Sequence, residues 1–236
     1  MSPESHPDLA DFLQRFATKV LWHFTGYNKT PDKAFEILKA IIGNQTLKVS
    51  LDYQRIKMPS GQERIGWPAA CMCDIPFKDL RIHTCRYGQY GIAFKKNNAI
   101  IRGHFNPVFY IQHDFHLFKH SEALLNKFDN EHTNNAVNNK ELHEFLMLIG
   151  TYAKRSDLTR AISITDVNVD TEQNNNFYYE REWRSAYEWK FQKDDVAAIL
   201  VPNFHLEAMK QFINSNTHLN GFNGVPIISH EMVELL

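Results

Sequence analysis

Phe177-Tyr-Tyr-Glu-Arg-Glu-Trp-Arg184 is the stretch on which the reading of this chain turns. Written as a strand, it puts Glu180, Glu182 and Arg184 on one face. Tyr179, Arg181, Trp183, Ser185 and Tyr187 fall on the other, because side chains alternate along a strand. The same spacing fits a helix, in which Glu180 and Arg184 form an i,i+4 pair. The strand is preferred because Phe177, Tyr178, Tyr179, Trp183, Tyr187, Trp189 and Phe191 are aromatics that suit a pleated surface. Two carboxylates two residues apart beside an aromatic wall read as an acid edge for chemistry or as a solvated edge strand. The residues alone leave both open.

The patterns on either side predict an α+β chain. Residues 7–19 space Leu9, Phe12, Leu13, Phe16 and Ala17 along one helical face. A short strand follows over 20–25, closed by Gly26. Thr30 and Pro31 are an N-cap and first helical position, Ala34, Phe35, Ile37, Leu38, Ile41 and Ile42 the buried face, and Gly43 the stop. Strands are predicted at 47–53, 69–75, 90–94 and 108–111, with a turn at Pro59-Ser-Gly61. A helix over 114–128, an asparagine-rich loop over 129–139 and a helix over about 140–154 come next. A polar loop over 170–176 precedes the aromatic stretch. Strand 196–201, helix 203–215 and strand 225–229 complete the chain. With no internal repeat and no Gly/Pro-rich linker, residues 1–236 read as one domain with a helical insertion over about 112–160.

Composition bounds the function classes. A chain of 236 residues, 43% hydrophobic and 13% aromatic, is long enough to bury a sizeable core. No run approaches the ~20 apolar residues of a membrane helix. Met1-Ser-Pro-Glu-Ser-His-Pro-Asp8 has no apolar signal core, so a soluble, cytoplasmic protein is expected. Three cysteines, an odd number, argue against a disulfide framework. The net charge of −1 hides an asymmetry: residues 1–103 hold 15 Lys and Arg against 9 Asp and Glu, the remainder 11 against 18. A basic half attracts nucleic acid or nucleotide phosphates. Because the basic residues are scattered, intermixing of the charges on one surface is the preferred reading.

Several chemistries are discounted. No Walker or Rossmann phosphate loop is present, and Gly88-Gln-Tyr-Gly91 is too short for either. There is no Gly-x-Ser-x-Gly nucleophile elbow. Cys71, Cys73, His83 and Cys85 are zinc-ligand types, but Cys-x-Cys is a poor zinc-finger spacing, and in an apolar strand the two cysteines read as small hydrophobes. No metal is expected.

His23, near the end of a short apolar strand, reads by itself as a hydrogen-bonded core residue. Tyr87 and Tyr90, each followed by a glycine, lie at the start of another predicted strand. Glycine lets backbone approach a ligand and tyrosine offers a flat stacking face.

In order, His23-Phe-Thr25, Cys71-Met-Cys-Asp-Ile-Pro76, Tyr87-Gly-Gln-Tyr-Gly-Ile-Ala-Phe94 and Glu180-Arg-Glu-Trp-Arg184 make the chain resemble the AbiGi family of bacterial abortive-infection, or phage-defence, proteins. The resemblance runs from about Leu21 to about Ile199. That family is described as the antitoxin half of a phage-resistance pair. The motif order is also similar to the His-Tyr-Glu class of ADP-ribosyltransferases, including DarT-like toxins that modify nucleic acid.

The resemblance to the transferases implies a split mixed β-sheet core with flanking helices and NAD as substrate. His23 would hold a ribose hydroxyl, with Phe24 beside it and Thr25 in support. Tyr87 or Tyr90 would stack on the nicotinamide. Glu182 would stabilise the oxocarbenium ion, and Glu180 would orient or deprotonate the acceptor. Gly and Gln stand near the tyrosines where many such cores carry Ser and Thr. Arg81, Arg86 or Arg184 would pair with the pyrophosphate, although neutralising a carboxylate on the same face is the preferred role for Arg184.

Three readings follow. The first is an anti-phage ADP-ribosyltransferase acting on a macromolecule, nucleic acid favoured over protein. The second is a non-catalytic antitoxin or regulator that binds a partner toxin or DNA. The third is an NAD glycohydrolase.

Overall fold

Val20–Phe24 forms strand β1, with Leu21 and Trp22 buried, in a computed structural model that describes residues 18–50, 54–57, 63–112, 120, 123, 140–156 and 178–234. The expected helices at 7–19 and 114–128, the turn at 59–61 and the polar loops at 129–139 and 170–176 lie outside the described residues, apart from Thr18, Lys19 and positions 120 and 123.

Helix α1, Pro31–Asn44, starts as its sequence predicts. Thr30 is extended (φ −67°, ψ 155°), and its side-chain oxygen accepts the Lys33 N–H at 3.4 Å. Pro31 occupies the first position, where no N–H is needed. Ala34, Phe35, Leu38 and Ile42 form the buried face. The helix runs past Gly43 and stops at Gln45, whose left-handed backbone (φ 49°, ψ 39°) lets its N–H reach the carbonyls of Ile41 and Ile42.

The described chain divides into two compact units. One holds the residues up to Leu47, Met72–Gly103 and those from Trp189 on; the other holds Lys48–Cys71 and His104–Glu188.

The first unit is built on a mixed sheet. Besides β1 it contains the Met72–Cys73 end of β5 (Ala70–Cys73), β6 (Gly91–Lys95), β12 (Val196–Val201) and β13 (Ile227–Ser229), in the order β13-β12-β6-β1-β5. β6 runs antiparallel to both β1 and β12, placing His23 opposite Ile92. β13 runs parallel to β12. A parallel pair needs a crossover, and helix α5 (Asn203–Ser215) with the 3₁₀ turn Thr217–Gly224 supplies it. Trp22, Cys73, Ile75, Leu80, Ala93, Ala198 and Leu200 pack as one core. A two-residue pair, β2 (Thr46–Leu47) with β11 (Trp189–Lys190), also belongs to this unit.

Among the described residues three more helices belong to it: α2 (Leu80–Tyr87), α3 (Lys96–Gly103) and α6 (His230–Glu234). The strand expected over 90–94 is β6, displaced by one residue, but Tyr87, expected at its start, lies in a helix instead. Arg86 and Tyr87 close α2, and Tyr90 immediately precedes β6. Gly88, with φ 86° and its N–H bonded to the Thr84 carbonyl at 3.0 Å, stops the helix where a side chain would be strained.

In the second unit, β3 (Gln54–Lys57) and β4 (Glu63–Gly66) are an antiparallel pair. β8 (Phe109–Gln112) runs parallel to β9 (Ala153–Ser156). β10 (Glu182–Ser185) stands between β5, which contributes Ala70 and Cys71 here, and β7 (Asn106–Pro107). Helix α4 (Lys140–Tyr152) leads straight into β9. The backbone of Gly66 lies against that of Gly150 and Thr151, and the Trp67 N–H donates to the Thr151 hydroxyl at 2.8 Å. The expected α+β class with a mixed sheet is what the structure shows.

Candidate functional site

The acidic stretch over 178–185 is not one continuous strand. Tyr178–Glu180 is a 3₁₀ turn, Arg181 is left-handed (φ 42°), and β10 begins at Glu182. Phe177 lies outside the described residues. Strand pairing cannot extend back to Glu180 because the ladder with β7 runs only through Pro107 opposite Trp183 and Asn106 opposite Arg184. The Glu182 N–H goes instead to the Tyr110 hydroxyl, at 2.6 Å.

From Glu182 on, alternation holds, and Glu182 and Arg184 share a face. Arg184 Nε donates to Glu182 Oε1 at 2.8 Å and Nη2 to Oε2 at 3.0 Å, the two-pronged geometry that a guanidinium favours. Nη1 donates to the Thr151 carbonyl at 2.7 Å, tying β10 to the end of α4. Lys154, two residues after α4, reaches Glu182 Oε2 at 3.0 Å and also bonds Glu180 Oε2. The Cys71 thiol donates to the Glu182 carboxylate as well. Glu180, Glu182 and Arg184 are 4%, 8% and 5% exposed. Two carboxylates and two cations thus form a neutral, buried cluster, the condition under which charges can be held out of water.

Glu182, Lys154, Arg184 and Cys71 are each held in one protonation state near neutrality. Burial pushes the Glu182 carboxyl up, but Lys154 and Arg184 outweigh it and hold it well below the usual carboxylate range. Burial lowers Lys154, and Glu180 and Glu182 more than restore it, so its ammonium persists above the ordinary lysine value. Burial, then the Glu182 charge, pushes the Cys71 thiol far up, so it stays a protonated donor rather than a nucleophile. Burial does the same to the Tyr110 phenol. A carboxylate has about four acceptor sites. On Glu182, Arg184 takes two, Lys154 one and Cys71 one.

The residues expected to bind NAD lie in the first unit and come close to one another. His23 is half-buried on β1. The Phe24 ring stacks at 6.4 Å from both His83 and Tyr87 and at 6.2 Å from Trp22. The buried Thr25 hydroxyl donates to the Ala34 carbonyl at 3.0 Å, and the Thr25 N–H to the Tyr90 carbonyl at 3.0 Å. Gly26 and Gly88 press together so closely that a Cβ on either would lie 2.7 Å from the other's Cα. Tyr87 ends up half-buried, with the exposed Tyr27 ring 5.7 Å away and the Arg86 guanidinium 5.6 Å above its face. Tyr90 is buried, its hydroxyl 2.9 Å from His205 Nδ1. Burial, with Asp32 and Glu231, pushes its phenol up to about 12. The His205 ring in turn stacks on Phe35 at 4.1 Å.

Sequence reasoning missed Lys154, Cys71, Tyr110 and Thr151 as members of the acid cluster. They come from three separate segments, and none has a spacing relation to Glu182 that a local pattern would expose. Among the described residues no three His, Cys, Asp or Glu gather as a metal site, and Cys71, Cys73 and Cys85 are in no disulfide. Among the described residues no helix is long and apolar enough to cross a membrane.

A family model described as "Putative abortive phage resistance protein AbiGi, antitoxin" matches residues 36–224. The match includes Tyr87, Tyr90 and the whole acid cluster, and it begins after His23, Phe24 and Thr25. No curated protein and no solved structure matches the chain. With most of its length matched, from within α1 to the end of the 3₁₀ turn after α5, the chain belongs to the AbiGi family of abortive phage resistance proteins.

Proposed function

We propose that this protein is the binding, antitoxin half of a phage-resistance pair, and that Glu180, Glu182, Lys154 and Arg184 are a structural ion cluster rather than reacting groups. One observation carries this: both oxygens of Glu182 are occupied by protein donors that are themselves buried or half-buried. A carboxylate that stabilises a ribosyl cation must gain interaction as the charge develops. Glu182 already has its counter-ions, and freeing it would strand Arg184 in the interior at a cost of about 3–5 kcal/mol. The antitoxin in the family's description supports the same reading. The test is calorimetric titration of the purified protein with the purified product of the gene adjacent to its own. Saturable binding supports the reading, and its absence counts against it.

A second reading has its own support. His23, Phe24, Thr25, Tyr87 and Tyr90 converge in one unit around the Gly26–Gly88 contact, an arrangement suited to holding a flat ligand. It would make the protein an NAD-dependent ADP-ribosyltransferase with that class's sheet, modifying nucleic acid, or a glycohydrolase if water is the acceptor. Either activity requires Glu182 to exchange a protein cation for substrate, and NAD consumption distinguishes both from the antitoxin.

A further inference from the structure

Helix α3 is anchored by two buried carboxylates, one toward each end. Asp74 accepts Lys96 Nζ at 2.6 Å, and Asp195 accepts Arg102 Nη1 at 2.8 Å and Asn98 Nδ2 at 2.9 Å. Asp195 is itself held by the Gln192 N–H at 2.7 Å. The guanidinium of Arg102 is therefore fixed in place. Its side chain is 53% exposed, and it bonds nothing besides Asp195 among the described residues. Ala99 and Gly103 face inward. Ile100 and Ile101 do not: they are 38% and 72% exposed. The strand ends beside the helix add Lys19 and Lys95, both exposed, and the Lys19 carbonyl accepts the Lys96 N–H at 2.9 Å. Asp194, whose carbonyl accepts Asn98 Nδ2 at 3.4 Å, is the exposed acid tied to this helix among the described residues.

Isolated exposed hydrophobics need no explanation, but two consecutive isoleucines on a braced helix, followed by the half-exposed Arg102 and preceded by the exposed Lys19 and Lys95 at the helix start, have the form of an apolar anchor with a charged border. We propose that the outer face of α3, with Lys19 and Lys95, receives an acidic segment of the partner protein, with Ile101 as the apolar anchor. This inference rests on the antitoxin reading and locates its binding surface. The charge calls for an anionic occupant. A protein is favoured over RNA because α3 offers aliphatic contacts and carries no aromatic ring on which bases would stack.

The test uses full-length protein, wild type and the variants Lys95→Glu, Ile101→Glu and Phe204→Ser. All three positions are exposed, and Phe204, on α5, serves as a control. Circular dichroism and melting temperature establish that each variant folds. The probes are the product of the adjacent gene and, separately, a fluorescent single-stranded RNA. The expected result is that Lys95→Glu and Ile101→Glu each weaken binding to the gene product at least about tenfold, while Phe204→Ser binds as wild type. Wild-type affinity should also fall with added salt. If wild type binds and both α3 variants bind equally well, the α3 surface is wrong while the antitoxin reading stands. RNA binding that Lys95→Glu abolishes and Ile101→Glu leaves intact would replace the acidic protein with a nucleic acid. If wild type does not bind the gene product, the antitoxin reading falls and this surface falls with it.

Discussion

Arg184 and Glu182, two residues apart on β10, meet through two hydrogen bonds, Nε to Oε1 at 2.8 Å and Nη2 to Oε2 at 3.0 Å, in an interior that also holds Lys154 and Glu180. A buried pair of this kind contributes little net stability when intact, yet breaking it is costly, because the surviving charge is left without its partner in a poor solvent.

Arg184→Met is therefore expected to destabilise the protein by about 3 kcal/mol. Glu182→Gln should cost less, since the amide still accepts hydrogen bonds. The double variant should be more stable than the two single losses predict, with a coupling of at least about 1 kcal/mol. Urea unfolding of the four proteins measures this. Additive losses would show that the two side chains do not depend on each other.

Stability should depend on pH in a defined window. Glu182 is held below its ordinary value of 4.5, so its contribution is present above that pH and is lost as the pH falls below it. Lys154 is held above 10.5, and Tyr90 is pushed from 10.0 to about 12. Their contributions are complete below their ordinary values and are lost as the pH rises past them. Cys71 is likewise pushed up from 9.0, so urea midpoints should form a plateau between about pH 5 and pH 9. The gap between wild type and Glu182→Gln should narrow as the pH drops from about 5 to 3. A gap that stays constant would mean that Glu182 is not held low.

Gly66 should tolerate no side chain. A Cβ there would lie 2.2 Å from the Gly150 carbonyl carbon and 2.4 Å from the Thr151 nitrogen, both backbone atoms that cannot swing aside. Gly66→Ala is expected to cost about 3 kcal/mol or more, whereas Gly224→Ala, with nothing within 4 Å of the new atom, should stay within about 0.5 kcal/mol of wild type. Thermal melts of the two variants make the comparison, and equal melting temperatures would contradict the packing of β4 on α4.

Gln45 takes the left-handed conformation at the end of α1 that glycine adopts without strain. Gln45→Gly should leave stability unchanged or raise it by up to about 1 kcal/mol, while Gln45→Val should lower it, because a β-branched residue resists positive φ. A midpoint shift in the opposite order would show that the helix ends elsewhere.

Much of the first unit was legible in the sequence, for identifiable reasons. The Thr30-Pro31 start, the buried face of α1, the apolar run of β12 and the extent of α5 are local signals, and the structure places each within a residue or so of expectation. Helices α2 and α3 were not legible. α2 mixes His83, Thr84 and Cys85, and α3 exposes the isoleucines that an amphipathic template would bury. In the acid cluster, alternation placed Arg184 beside Glu182. The left-handed Arg181, which ends the turn that holds Glu180, leaves no mark in the sequence because it is neither glycine nor asparagine. Lys154 lies 28 residues before Glu182, and only the tertiary fold reveals that it joins the two glutamates.

Consumption of labelled NAD tests most directly whether Glu182 is a structural counter-ion. Wild type and Glu182→Gln would be incubated with NAD in the presence of RNA, DNA and cell lysate in turn, each with and without the adjacent gene product. No consumption by either protein is predicted, with the variant less stable but equally inert. Consumption by wild type that disappears in a folded Glu182→Gln variant would contradict the structural role and make Glu182 a catalytic residue.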